Sequence, residues 1–149
     1  MSEGGTILLA EDDPDDVLIT QIAFRKARLA NPVEVVRDGE EAVAYLKGEG
    51  RYADRSRHPF PVLLLLDLDM PKIDGFEVLE WLRRQPVIGT LPVAIVTDSG
   101  HDPYVDRAYC LGADSYIIKP PNPEELLALV KRLRAHWMIV TEASELQPA

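Results

Sequence analysis

Short apolar runs alternate with amphipathic stretches along most of the chain. "TILLA" (6–10), "VEVVR" (33–37), "VLLLL" (62–66), "PVAIV" (92–96) and "SYIIK" (115–119) each have the length and composition of a strand. Between them, apolar residues recur at helical spacing after Asp13, over 40–47, over 76–84, over 103–111 and after Asn122. Two of these helices carry start signals. Asp13 suits an N-cap with Pro14 in the first turn and Asp15 and Asp16 at the positive end of the dipole; Asn122-Pro123-Glu124-Glu125 repeats the device. In the last helix Leu126, Leu129, Val130, Leu133 and Trp137 keep the spacing of one buried face, so Trp137 is expected to pack in the core. Trp81 lies off the stripe of Val78, Leu79 and Leu82, where packing over the 48–61 connection competes with service to a partner.

Strands alternating with helices predict a parallel sheet covered on both faces. Strands 1, 3 and 4 are almost continuously apolar, which places them at its centre. Leu63 to Leu66 are then an anchor, since each buried leucine contributes ~1.5–3 kcal/mol over an exposed one. One connection, "GEGRYADRSRHPFP" (48–61), is long and irregular, and connections beyond ~12 residues are often functional or mobile. The expected organisation is one domain over 1–140 and a disordered polar tail over 141–149.

Composition narrows the function classes. The 46% hydrophobic and 28% charged shares are those of a soluble globular domain. No apolar run spans a bilayer and no signal peptide is visible, so no membrane partner is expected. A single cysteine, Cys110, excludes an internal disulfide and suits a cytoplasmic setting. The net charge of −9 argues against nucleic acid as a partner. His58, His101 and His136 fit no metal-ligand spacing, and no G-x-S-x-G, P-loop or G-x-G-x-x-G occurs.

In open α/β sheets, ligands bind beyond the carboxyl ends of the strands. Strand 1 ends in Glu11-Asp12-Asp13, strand 3 in Asp67 and Asp69, strand 4 in Thr97-Asp98-Ser99 and strand 5 in Lys119. Carboxylates held together repel unless a cation joins them, and an oxygen-only set selects a hard ion such as Mg²⁺. A lysine and a hydroxyl opposite the acids would hold phosphoryl oxygens, so the parts suit phosphoryl transfer. Any one of these residues alone is better explained as a solvated loop group. Four strands delivering suitable groups to one edge are not.

E-D-D at 11–13, D-L-D-M-P-K-I-D-G at 67–75, V-T at 96–97, L-G-A-D at 111–114 and Y-I-I-K-P at 116–120 resemble the receiver domains of two-component response regulators. This CheY-like family resemblance extends over residues 5–138. It implies a doubly wound (βα)5 sandwich with a five-stranded parallel sheet in the order 2-1-3-4-5. It implies that Asp67 accepts a phosphoryl group and that Glu11, Asp12, Asp67 and the Asp69 main-chain carbonyl hold Mg²⁺. Thr97 then turns toward the phosphoryl group, Tyr116 follows it, Lys119 binds a phosphoryl oxygen, and the Asp69 side chain modulates. Asp67 ends the rigid strand directly while Asp69 lies in a turn, so the physical reading also makes Asp67 the reactive acid. The resemblance further implies a cis bond at Lys119-Pro120, with Gly75 and Gly112 permitting turns.

"EDDPDD" (11–16), "RDGEEAVAYL" (37–46), the arginine-bearing 48–61 loop and "HWMIV" (136–140) are similar to single-domain regulators paired with bacterial and cyanobacterial phytochrome kinases. The implied protein is a stand-alone response regulator, phosphorylated by a sensor histidine kinase and signalling by protein contact or as a relay. Such a protein is no enzyme beyond its own aspartyl phosphotransfer and dephosphorylation. A homodimer or target would use the helix 4–strand 5–helix 5 face, which carries Tyr104 and Tyr116. Asp98 departs from the small residue usual beside the phosphoryl group; it either hinders the incoming phosphate or points to solvent. Pro121 after Pro120 is also uncommon.

Three other readings compete. "DLDMP" half matches a haloacid-dehalogenase-type phosphatase. Glu11 with Asp67 and Asp69 matches the letters of a Toprim-like nuclease. Neither requires Thr97, Tyr116 and Lys119-Pro120. A pseudo-receiver serving only as a binding module is kept open by Asp98.

Overall fold

The computed structural model describes residues 5–132. The strands are β1 (Ile7–Ala10), β2 (Val33–Val36), β3 (Leu63–Leu66), β4 (Val93–Thr97) and β5 (Ser115–Ile118). The helices are α1 (Pro14–Lys26), α2 (Gly39–Lys47), α3 (Gly75–Arg83) and α4 (Asp102–Cys110), with a 3₁₀ turn at Gly50–Tyr52. A fifth helix, α5, runs over 123–132 within the described residues. Leu133, Trp137, the boundary at 140 and the 141–149 tail lie outside them.

All pairings are parallel and the strand order is β2-β1-β3-β4-β5. The alternation of side chains across the sheet builds two separate cores. On one face Leu8, Ala10, Leu64, Leu66, Val93 and Ile95 meet α2, α3 and α4 through residues such as Tyr45, Leu79 and Ala108. On the other face Ile7, Leu9, Leu63, Leu65, Ala94 and Val96 meet α1 and α5 through Val17, Phe24, Leu126 and Leu129. The three central strands are buried throughout, while β2 and β5 are partly exposed edges. The leucine run is therefore divided: Leu64 and Leu66 hold one layer, Leu63 and Leu65 the other.

The helix starts at Asp13 and Asn122 follow their sequence signals, Asn122 Oδ1 accepting from the Glu124 N–H at 2.8 Å. Asp13 caps α1 by accepting from the Asp15 N–H at 2.9 Å. Asp74 and Glu77 form a capping box on α3. The β2 and β5 strands stop one residue earlier than their apolar runs predict, leaving Arg37 and Lys119 just beyond them.

The 48–61 connection is more ordered than its composition predicts. Arg55 donates to the Tyr45 and Leu46 carbonyls at 2.8 and 3.0 Å, satisfying acceptors that the end of α2 leaves open. Tyr52 is buried, with its ring 4.8 Å from that of Tyr45, and its hydroxyl donates to Glu41. Trp81 packs against the α2–α3–α4 core from a half-buried position, with the Lys47 ammonium 5.8 Å from its ring centroid.

Candidate functional site: an acidic pocket closed by Lys119

Strand register carries the site residues to one edge. Ala10 is level with Leu66, so Glu11 and Asp67 follow paired strand ends, and the Asp67 N–H donates to the Ala10 carbonyl at 3.1 Å. Thr97 is level with Ile118, and the Lys119 N–H donates to the Thr97 carbonyl at 2.8 Å. Thr97 is thus the last residue of its strand, and Glu11, Asp67 and Lys119 are each the first residue beyond theirs.

Carboxylate oxygens of Glu11, Asp12 and Asp67 lie within 4.8 Å of one another. Glu11 and Asp67 are buried and Asp12 is exposed. The Lys119 ammonium closes the pocket, with only 7% of its side chain exposed. Its Nζ stands 2.6 Å from Glu11 Oε1, 2.8 Å from Asp16 Oδ2 and 3.0 Å from Asp67 Oδ2. Main-chain donors hold the acids in place: Asp69 N–H reaches Asp67 Oδ1 and Asp13 N–H reaches Glu11 Oε2, both at 3.2 Å. The Lys119-Pro120 bond is cis.

The electrostatics follow from crowding and burial. Burial pushes the Glu11 carboxyl up to about 7, and its proximity to Asp67 adds to the rise against the pull of Lys119. Burial would lower the Lys119 ammonium, but its bonds to Asp16, Glu11 and Asp67 outweigh that and hold it above the usual lysine range. An oxygen-only set of three acids, one of them reluctant to ionise, is short of positive charge. The donor set therefore fits a hard divalent cation, which Glu11, Asp12 and Asp67 could hold.

Around this centre the other residues fall into two hollows. Asp69, Thr97 and Ser99 line one of 280 Å³ with Phe76, Tyr104 and Arg107. Thr97 is buried, whereas Asp69 is exposed. Tyr116 is half-buried and its hydroxyl donates to the Ser99 carbonyl at 2.5 Å. Burial raises its phenol, and the Asp67 and Asp69 charges raise it further. The second hollow, of 250 Å³, is lined by Asp16, Thr20, Asp98, Lys119, Pro120 and Pro121. Asp98 is exposed at its edge.

Two features go beyond the sequence reading. Asp16 bonds Lys119 directly, a contact between residues 103 positions apart that helix-start patterning could not reveal. Gly75 is needed for space rather than for a left-handed turn. A Cβ there would strike the Asp67 carbonyl oxygen and the Leu68 Cα, so α3 begins this close to the end of β3 without strain only when residue 75 is glycine. Gly112 does adopt positive φ, at 102°.

Comparison with known proteins agrees with the fold. Residues 7–131 match the response regulator receiver domain. Response regulator Rcp1 of Synechocystis sp. is 33% identical over 132 residues, covering 89% of this chain and 88% of Rcp1. The crystal structure of response regulator RPA3017, in red light signaling of R. palustris, superposes with a TM-score of 0.78 at 34% identity, covering 90% of this chain and 94% of that one. The Mn²⁺-bound form of Rcp1 gives 0.69 at 32% identity, covering 89% and 93%. With its strand order, its acidic edge and the match over most of its length, this chain belongs to the response regulator receiver domain family and is related to phytochrome response regulators.

Proposed function

We propose that the chain is a stand-alone response regulator that accepts a phosphoryl group on Asp67 from a sensor histidine kinase of the bacteriophytochrome type. The observation that carries this reading is the Lys119 ammonium 3.0 Å from Asp67 Oδ2 in a pocket whose other walls are carboxylates. Asp67 is buried directly at the end of central strand β3, where its N–H donates to the Ala10 carbonyl of β1 and Gly75 packs closely on its backbone. Its Oδ attacks phosphorus, and the bond from phosphorus to the donor breaks with its electron pair leaving on the donor.

Glu11, Asp12, Asp67 and the Asp69 carbonyl would hold Mg²⁺, which supplies charge neutralisation for the phosphoryl oxygens. The Mn²⁺-bound form of Rcp1 supports a divalent ion in this family. Lys119 takes a phosphoryl oxygen, and Thr97 donates its hydroxyl to another. Tyr116, tied to Ser99 by one hydrogen bond, exchanges that contact for an inward position as Thr97 turns. The signal then leaves by protein contact through α4, β5 and α5, where Tyr104, Tyr109 and Ile118 are 46%, 49% and 51% exposed; the same face would serve a homodimer. The side chain of Asp69 modulates the lifetime of the phosphate.

The test is intact mass after incubation with acetyl phosphate and Mg²⁺. Wild type should gain one phosphoryl group and Asp67→Asn none, with EDTA abolishing the gain. Equal gain in both proteins would overturn the assignment of Asp67.

A further inference from the structure

Lys119 has three N–H bonds to give, and three carboxylates receive them. Glu11 and Asp67 belong to the pocket, at 2.6 and 3.0 Å. Asp16 does not. It stands in the first turn of α1 with a quarter of its side chain exposed, and it reaches Lys119 Nζ at 2.8 Å on the wall of the hollow that Asp98 also lines. A place at the positive end of α1 accounts for an acid at 16 but not for its choice of partner.

We propose that Asp16 is a positioning residue that competes with the phosphoryl group for Lys119 and so biases the protein toward its unphosphorylated form. The inference rests on the reading of Asp67 as acceptor. In the reaction with acetyl phosphate, an Asp67 oxygen forms a bond to phosphorus. The phosphorus–oxygen bond to the acetyl group breaks, and acetate leaves with the electron pair. The side chain at 67 passes from one negative charge to nearly two. That added charge is shared with Asp16 across one ammonium. Asp16 either surrenders its N–H to the phosphoryl oxygen or keeps it and repels the new dianion. In both cases a carboxylate at 16 stabilises the ground state more than the phosphorylated state.

The experiment measures two rate constants by intact mass at saturating Mg²⁺: uptake from acetyl phosphate, and decay after the donor is removed. The ratio of uptake to decay should rise about five- to tenfold in Asp16→Ala. In Asp16→Asn, which keeps a neutral acceptor, it should rise about two- to fivefold. A merely structural role for Asp16 in α1 would lower uptake, and simple repulsion of the anionic donor would vanish in high salt, whereas loss of the competition for Lys119 should raise the ratio at high salt as well. Ratios within about twofold of wild type in both variants, or below it, would overturn the proposal, as would a change in Asp16→Ala with none in Asp16→Asn. A wild type that takes up no phosphoryl group would overturn the Asp67 reading instead.

Discussion

Lys119 and Asp67 meet at 3.0 Å although the strands they follow, β5 and β3, are separated by β4. The lysine side chain crosses the carboxyl end of β4 to reach the acid, and in doing so it becomes the only positive charge within bonding distance of Glu11, Asp16 and Asp67 among the described residues.

Removing that charge has a stability consequence. Lys119→Ala would leave Glu11 and Asp67 buried side by side without a counter-ion, and breaking a buried pair costs about 3 kcal/mol. Urea unfolding at neutral pH without metal should show a loss of this order. The loss should shrink at pH 5, where Glu11 is protonated. A variant as stable as wild type at neutral pH would contradict the central role given to the ammonium.

The metal dependence should vary with pH. Glu11 rises from 4.5 in the unfolded chain to about 7 in the fold. For a raised carboxyl, the native state binds the proton more tightly, so its contribution is complete below 4.5 and is lost as pH climbs to about 7. Without metal, stability from this group therefore falls across that window. Mg²⁺ binds the ionised form, so its thermal stabilisation should be larger at pH 7.5 than at pH 5.5. The same stabilisation at both values would count against Glu11 as a ligand.

Asp98 lies exposed at the rim of the hollow that leads to Lys119. An exposed carboxylate acts on an anionic donor through a screened field, so Asp98→Ala should speed phosphorylation by acetyl phosphate about two- to threefold at low salt. The advantage should disappear in high salt. Identical low-salt rates would mean that Asp98 has no part in donor access.

Gly75 tests how tightly α3 is set against the end of β3. In Gly75→Ala the new methyl meets backbone atoms of Asp67 and Leu68, which cannot swing aside. Overpacking of this kind costs about 1–3 kcal/mol. Urea unfolding should report that loss, and a neutral result would show that the β3–α3 junction yields easily.

Much of the architecture was legible in the chain because buried parallel strands are apolar without interruption. Leu63 to Leu66 and Val93 to Val96 could be little else, and the acids that follow them had to share an edge once the sheet was parallel. The gathering of Glu11, Asp12, Asp67 and Lys119 follows from that geometry. Asp16 was read only as a helix-start acid, because its partner is set by tertiary register rather than by local pattern. Arg55 was likewise hidden. Its composition says exposed loop, yet its guanidinium fits the open carbonyls at the end of α2 and fixes the 48–61 connection. Trp81 shows the same limit, since half-burial beside Lys47 lies off the helix stripe that periodicity detects.

The most direct measurement is to locate the acyl phosphate itself. Protein treated with acetyl phosphate and Mg²⁺ is reduced with borohydride, which converts an aspartyl phosphate to homoserine, and the digested peptides are sequenced by mass spectrometry. Homoserine at position 67 alone is the predicted result. Homoserine at position 12 or 69 in place of 67 would contradict the account, and so would a phosphorylated protein in which every aspartate survives reduction.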